Sequence, residues 1–135
     1  MSTDRAVAFS FTATEVALMG RMPLHGGDPD DEDRRIVAEL LAAVDCAGLT
    51  DRVYATLSTG ERQRVQLARA VAQVSGQASH DRFLLLDEQT SSLDPAHQHV
   101  AKRQLRRLAD GGLGILAVLH DLNLAAAYAD RVVLM

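Results

Sequence analysis

Residues 1 to about 79 carry their apolar positions at helical spacing, separated by short polar turns. The stretch "TATEVALMGRM" predicts a first helix, with Thr12 or Thr14 as N-cap and Glu15 in its first turn. "GGDPDDED" at 26–33 reads as a turn whose acids suit the positive end of a helix dipole. The helix that it opens is predicted over Asp31–Cys46, with Ile36, Leu40, Ala43 and Val44 facing inward and Gly48 as its stop. A third helix is predicted from about Ser58 to Val74. Beyond residue 80 the pattern alternates. Short unbroken apolar runs predict strands at 83–86, 115–119 and 132–134. Helices at about 95–109 and 122–129 lie between them, with Pro95 at a first helical position and "DGG" at 110–112 as a stop. Unbroken apolar strands between helices predict a parallel sheet covered on both faces. The expectation is an α/β chain in two parts, a helical 1–79 and an alternating 80–135.

Composition narrows the picture only a little. The chain has 135 residues, 47% of them hydrophobic, which suits a folded core. A formal net charge of -4 offers no electrostatic case for nucleic acid. Cys46 stands alone, so no internal disulfide can form, and it reads as a core or helix-end residue in a reducing compartment. No apolar run approaches the ~20 residues of a membrane span, and the N-terminus lacks a signal-peptide layout. A soluble protein is expected, with any membrane role reached through a partner. Of the 14 basic side chains only Lys102 is a lysine, and its setting in "HVAKRQLRR" reads as a solvated helix face.

Candidate chemistry begins at "RFLLLDEQTSSLD", residues 82–94. Asp87 and Glu88 end a buried strand, and ligands of open parallel sheets sit at that edge. Such a pair could hold Mg²⁺ and polarise a water, or it could be a polar strand end in solvent. His120 closes the next strand, "ILAVLH", in the corresponding place, where an imidazole could position a phosphate or a water. In "LSTGERQRVQLARA", Ser58 and Glu61 form a Ser-x-x-Glu capping box. Beyond capping, a helix N-terminus with a hydroxyl and Gly60 beside it suits a phosphate.

These three segments, with "VLHDLNLAAAYADRVVLM", stand in the order and spacing of the ABC-transporter ATPase family. They resemble its signature motif, Walker B strand, D-loop and H-loop, and residues 9–56 resemble its helical subdomain. "FSFTATEVALMGR", "SLDPAHQH" and "HDLNLAAAYAD" most resemble heme importer ATPases, then those of siderophore and cobalamin importers. The resemblance implies a partial P-loop NTPase fold that works with ATP and Mg²⁺. Asp87 would coordinate the metal, Glu88 would be the general base, and His120 would contact the γ-phosphate. Ser58, Thr59, Gly60 and Glu61 would face the γ-phosphate bound to a second ATPase subunit, and Asp94 would link the two sites. It further implies membrane permease subunits as partners, a substrate-binding protein indirectly, no nucleic acid, and a place on the cytoplasmic face of the membrane.

The chain departs from the family's pattern in several places. It carries no Gly-x-x-x-x-Gly-Lys-Ser/Thr loop to cradle phosphates, and its first glutamine, Gln63, lies inside the signature helix. A fragment is therefore expected, or a short protein that lends its signature face to a partner, and marginal stability with it. Thr59 stands where glycine is usual and would be strained if that position needs φ > 0. Gln89 stands where proline is usual. His97 and His99 are two apart on a helix and do not form a metal site, and the acids at 28–33 lack a calcium loop's glycine and terminal glutamate. Arg103, Arg106 and Arg107 read as a solvated basic face or a partner contact. Other functional readings are a soluble ABC-type ATPase of DNA repair or translation, and a catalytically incomplete remnant or regulatory partner.

Overall fold

The computed structural model describes residues 10–75, 82–87, 95–119 and 121–134. Helices α1 (Ala13–Leu18), α2 (Met22–His25), α3 (Asp31–Ala43) and α4 (Thr59–Val74) come first. Strand β1 (Phe83–Leu86), helix α5 (Pro95–Asp110), strand β2 (Gly114–Ala117) and helix α6 (Leu122–Tyr128) follow.

Helices α1, α3 and α4 start where a short polar side chain can take up loose N–H groups. Thr12, rather than Thr14, caps α1: Glu15 N–H donates to Thr12 Oγ1, and Thr12 N–H donates to the Glu15 carboxylate at 2.7 Å. Asp30 and Asp33 make the same reciprocal pair at the start of α3. The α3 helix ends earlier than the sequence suggests. Gly48 does not stop it; Asp45 does, at φ 62. Cys46 N–H donates to the Leu41 carbonyl (2.7 Å) and Asp45 N–H to that of Ala42 (3.1 Å), a left-handed Schellman ending built on an aspartate. Gly48 falls instead in a short 3₁₀ turn, Ala47–Leu49.

Helices α1, α3 and α4 pack around Val16, Ala17, Val37, Leu41, Val65 and Ala68. Cys46 is buried in this core, and that burial pushes its thiol pKa up. Ile36 and Val44 face inward as expected, while Leu40 and Ala43 are half-buried. Gly20 is fixed by close approach, because a Cβ there would stand 2.1 Å from the Arg69 carbonyl oxygen of α4. A buried ion pair ties the corner: Arg21 donates from Nε to Asp33 (2.8 Å) and from Nη1 to the Ala72 carbonyl (2.7 Å) and that of Ser75.

The other face of α4 meets the sheet. Val71 packs with Leu84, Leu105 and Leu113 in a second core. Strands β1 and β2 are parallel, with Leu84 opposite Ile115 and Leu86 opposite Ala117. Coverage is one-sided among the described residues, contrary to the expected double layer. Phe83, Leu85 and Leu116 are 67–73% exposed on the outer face. Residues 132–134 form no strand; Val133 and Leu134 stand out in solvent. An apolar run becomes a strand only where a neighbour accepts its backbone hydrogen bonds, and none among the described residues does so.

Candidate functional site

The N-terminus of α4 is built as the Ser-x-x-Glu pattern requires. Glu61 N–H donates to Ser58 Oγ (3.1 Å), and Ser58 N–H donates to Glu61 Oε1 (2.8 Å). The Ser58 backbone N–H holds the Glu61 carboxyl below the ordinary glutamate value. Ser58 and Thr59 are exposed at this end, and Gly60 is half-buried behind them. The N–H groups of the first helical turn have no carbonyl four residues earlier in the helix to bind. With Ser58 Oγ accepting, its O–H remains able to donate outward. Thr59 sits in ordinary helical backbone: among the described non-glycine residues only Asp45 has positive φ. The strain considered for Thr59 therefore does not arise.

Asp87 lies directly after β1, exposed at the C-terminal edge of the sheet. The parallel register continues to this edge, because Val118 N–H donates to the Leu86 carbonyl at 2.9 Å. A cavity of about 220 Å³ opens between this edge, α4 and α5. Asp87 lines it together with Gln63, Arg64 and Lys102. The helix that carries Ser58 and the strand that carries Asp87 thus border one cavity. Ser58 itself lies a helical turn away, and Thr59 lines a neighbouring recess with Tyr54, Arg62 and Gln66. Glu88, Gln89, Asp94 and His120 lie outside the described residues.

The spacing of charges alone misplaces some residues at this site. Lys102 is not a solvated helix residue; it is only 6% exposed. The helical period held the signal, since Lys102 falls between Ala101 and Leu105 on the buried stripe of α5. Arg64 is buried to the same degree on α4, with Asp45 at 3.9 Å and its Nε and Nη1 lacking any hydrogen-bond acceptor. It sits one turn before Ala68 on the apolar face, where a cation is unexpected. The basic face of α5 is likewise only partly solvated. Arg103 and Arg107 are exposed, but Arg106 is engaged by α6.

Among the described residues no three His, Cys, Asp or Glu side chains converge as a metal cage. A single exposed carboxylate nonetheless fits Mg²⁺, which keeps most of its waters and shares one or two carboxylates with substrate phosphates.

The fold is that of part of an ABC-type cassette, and comparison with known proteins shows the family. The ABC transporter family model matches residues 3–91, and the chain belongs to that family. Among curated relatives, it is 50% identical to the hemin import ATP-binding protein HmuV of Gloeobacter violaceus, over 98% of this chain and 48% of that one. It is 52% identical to the protein of the same name from Pseudomonas fluorescens, over 94% of this chain and 49% of that one. The chain therefore spans about half the length of the curated relatives it matches. A solved transporter described as of metal-chelate type, in an inward-facing conformation, superposes with a TM-score of 0.72 at 29% identity. The match covers 90% of this chain and 48% of that one. A bacterial ABC transporter cassette solved as a dimer gives 0.71 at 26% identity, over 90% of this chain and 52% of that one. The fold is α/β, of the ABC ATPase cassette type.

Proposed function

We propose that this chain provides the signature helix and the acidic strand edge of an ATP-hydrolysing subunit that powers import of heme. The observation that carries the import reading is the identity of about half of all positions to hemin import ATP-binding proteins, over nearly the whole chain. The capped α4 and Asp87 support the ATP part of it. Siderophore and cobalamin chelates are the alternative cargo.

In this reading Asp87 would hold Mg²⁺ through water, and the ion would supply charge neutralisation for the phosphate oxygens. Glu88 accepts the proton of the attacking water, and His120 holds the γ-phosphate. Ser58 donates its hydroxyl to the γ-phosphate of ATP held by a second copy, with Thr59, Gly60 and Glu61 shaping that helix end. Asp94 connects the two sites. The division at residue 79 belongs to the same proposal and is supported by the two apolar cores on opposite faces of α4. The partners are permease subunits, a second ATPase subunit and, through the permease, a substrate-binding protein. The place of work is the cytoplasmic face of the membrane; no described helix is long and apolar enough to cross it.

The test is Glu88→Gln in the assembled importer. ATP turnover should fall about 10²- to 10⁴-fold while ATP binding persists, as loss of a general base demands. Heme, rather than a siderophore or cobalamin, should stimulate the turnover of the unsubstituted complex. Full activity in the variant, or stimulation by another chelate alone, contradicts the reading.

A further inference from the structure

Helix α6 has seven residues, and only Leu124 and Ala125 of it are buried. A helix this short is not stable by itself, so something must hold it in place. Arg106 of α5 reaches across to do so. Its Nη1 donates to the Tyr128 carbonyl (3.2 Å) and lies 2.9 Å from Asp130 Oδ2. Its Nε and Nη2 donate to Asp110 at 3.0 and 2.6 Å, which braces the guanidinium on its own helix. The hydrogen bonds of Asp130, and then of Asp110, push the Arg106 pKa above the ordinary arginine value. The bond to Tyr128 places a cation at the negative end of α6, where a last-turn carbonyl has no helical partner. A second tie lies alongside: His99 Nδ1 is 2.7 Å from the Tyr128 hydroxyl, with the rings tilted at 57°.

The described residues on either side of position 120 are each anchored. Val118 N–H binds the Leu86 carbonyl, one residue before Asp87. At the far end Asp121 caps α6, its Oδ1 accepting from Asn123 N–H (2.8 Å) and Leu124 N–H (3.4 Å). Position 120 falls between these anchors in the sequence. The first anchor is backbone pairing. The second holds only as far as α6 itself is held, and Arg106 holds it.

We infer that Arg106 is a positioning residue for ATP hydrolysis, acting through its clamp on α6 to hold the Asp121-capped start of that helix, the described residues that follow position 120 in the sequence. This rests on the ATPase reading above. An isolated surface ion pair contributes little. Here one planar fork is shared among two carboxylates and a helix carbonyl, a geometry that lysine cannot copy. A residue beside a reacting phosphate must be held closely, since misplacement by an ångström is enough to slow chemistry.

The experiment compares Arg106→Ala, Arg106→Lys and, as control, Arg103→Ala, an exposed neighbour on α5, in the assembled importer. Backbone hydrogen exchange and ATP kinetics are read together. In Arg106→Ala the amides of α6 should exchange about tenfold faster while those of α4 keep their rates. The kcat should fall on the order of tenfold with KM for ATP unchanged, the mark of a lost transition-state contribution. Arg106→Lys should lie between, and Arg103→Ala should match the unsubstituted protein. Faster α6 exchange with unchanged kcat overturns the proposal, as does an equal loss in Arg103→Ala or faster exchange throughout the molecule. Absence of turnover in the unsubstituted protein overturns the ATPase reading and the catalytic role of Arg106 with it. The α6 exchange would still report whether the clamp exists.

Discussion

Arg21 is 5% exposed and Asp33 1%, and each leans on the other inside the helical core. A charge buried this deeply is tolerable only when paired and hydrogen-bonded. Arg21→Met should therefore destabilise by about 3–5 kcal/mol in urea unfolding, because it removes the guanidinium paired with the buried Asp33 carboxylate. Adding Asp33→Asn to Arg21→Met should recover part of that loss, since the buried negative charge is removed along with its cation. A single substitution that costs nothing would mean that the pair is not formed. None of this is visible along the chain. Asp33 reads as one of several acids suited to a helix start, and it is one, closing the box with Asp30. Its second oxygen serves a residue twelve positions away, a contact that only folding creates. Lys102 misleads for the same reason, and Arg64 is buried in the same way. Charge suggests solvent, while the positions of both residues on apolar stripes place them beside the cavity.

At the scale of elements, most helix bounds are readable, and the end of α3 is not. A start is local chemistry: Thr12 with Glu15, Asp30 with Asp33 and Ser58 with Glu61 sit three residues apart in the sequence and bond across that gap. The end of α3 depends on Asp45 taking a left-handed conformation, which nothing in "VDCAG" compels and which the glycine three residues on seemed to supply better. Strand 83–86 and the parallel partner were legible from their unbroken apolar runs. The run at 132–134 was not, because a strand is defined by its partner. The cap on α4 makes a prediction in two parts. Ser58→Ala should cost about 0.5–2 kcal/mol of stability at neutral pH. Glu61→Ala should cost stability in a pH-dependent way. The carboxyl of Glu61 is lowered from 4.5 by the Ser58 N–H, so its ionised form is the one the fold favours. That contribution is complete above the unfolded value and disappears as pH falls through the lower folded value. The stability difference between the unsubstituted protein and Glu61→Ala should shrink on acidification below pH 4.5. A difference that grows there would contradict the capping geometry.

At the scale of the whole molecule, α4 is the organising element. One face closes the helical core and the other packs on the sheet, so the Ser58 end and the Asp87 edge are held in a fixed relation by one rigid rod. Among the described residues the sheet it supports is covered on that side and open on the other, where Phe83, Leu85 and Leu116 present an apolar surface. Sequence reasoning placed Asp87 correctly because strand ends and apolar runs are local features. It did not foresee the open face, because coverage depends on what else packs there. The central proposal is that two copies of the complete subunit share each ATP, one offering the α4 N-terminus and the other the Asp87 edge. The structure of the assembled importer with Glu88→Gln and bound ATP tests it most directly. The account predicts the Ser58 hydroxyl of one copy within about 3 Å of a γ-phosphate oxygen, hydrogen-bond distance, with Asp87 of the other copy on the opposite side of the same phosphate. A nucleotide remote from Ser58, or flanked by Ser58 and Asp87 of a single copy, would contradict it.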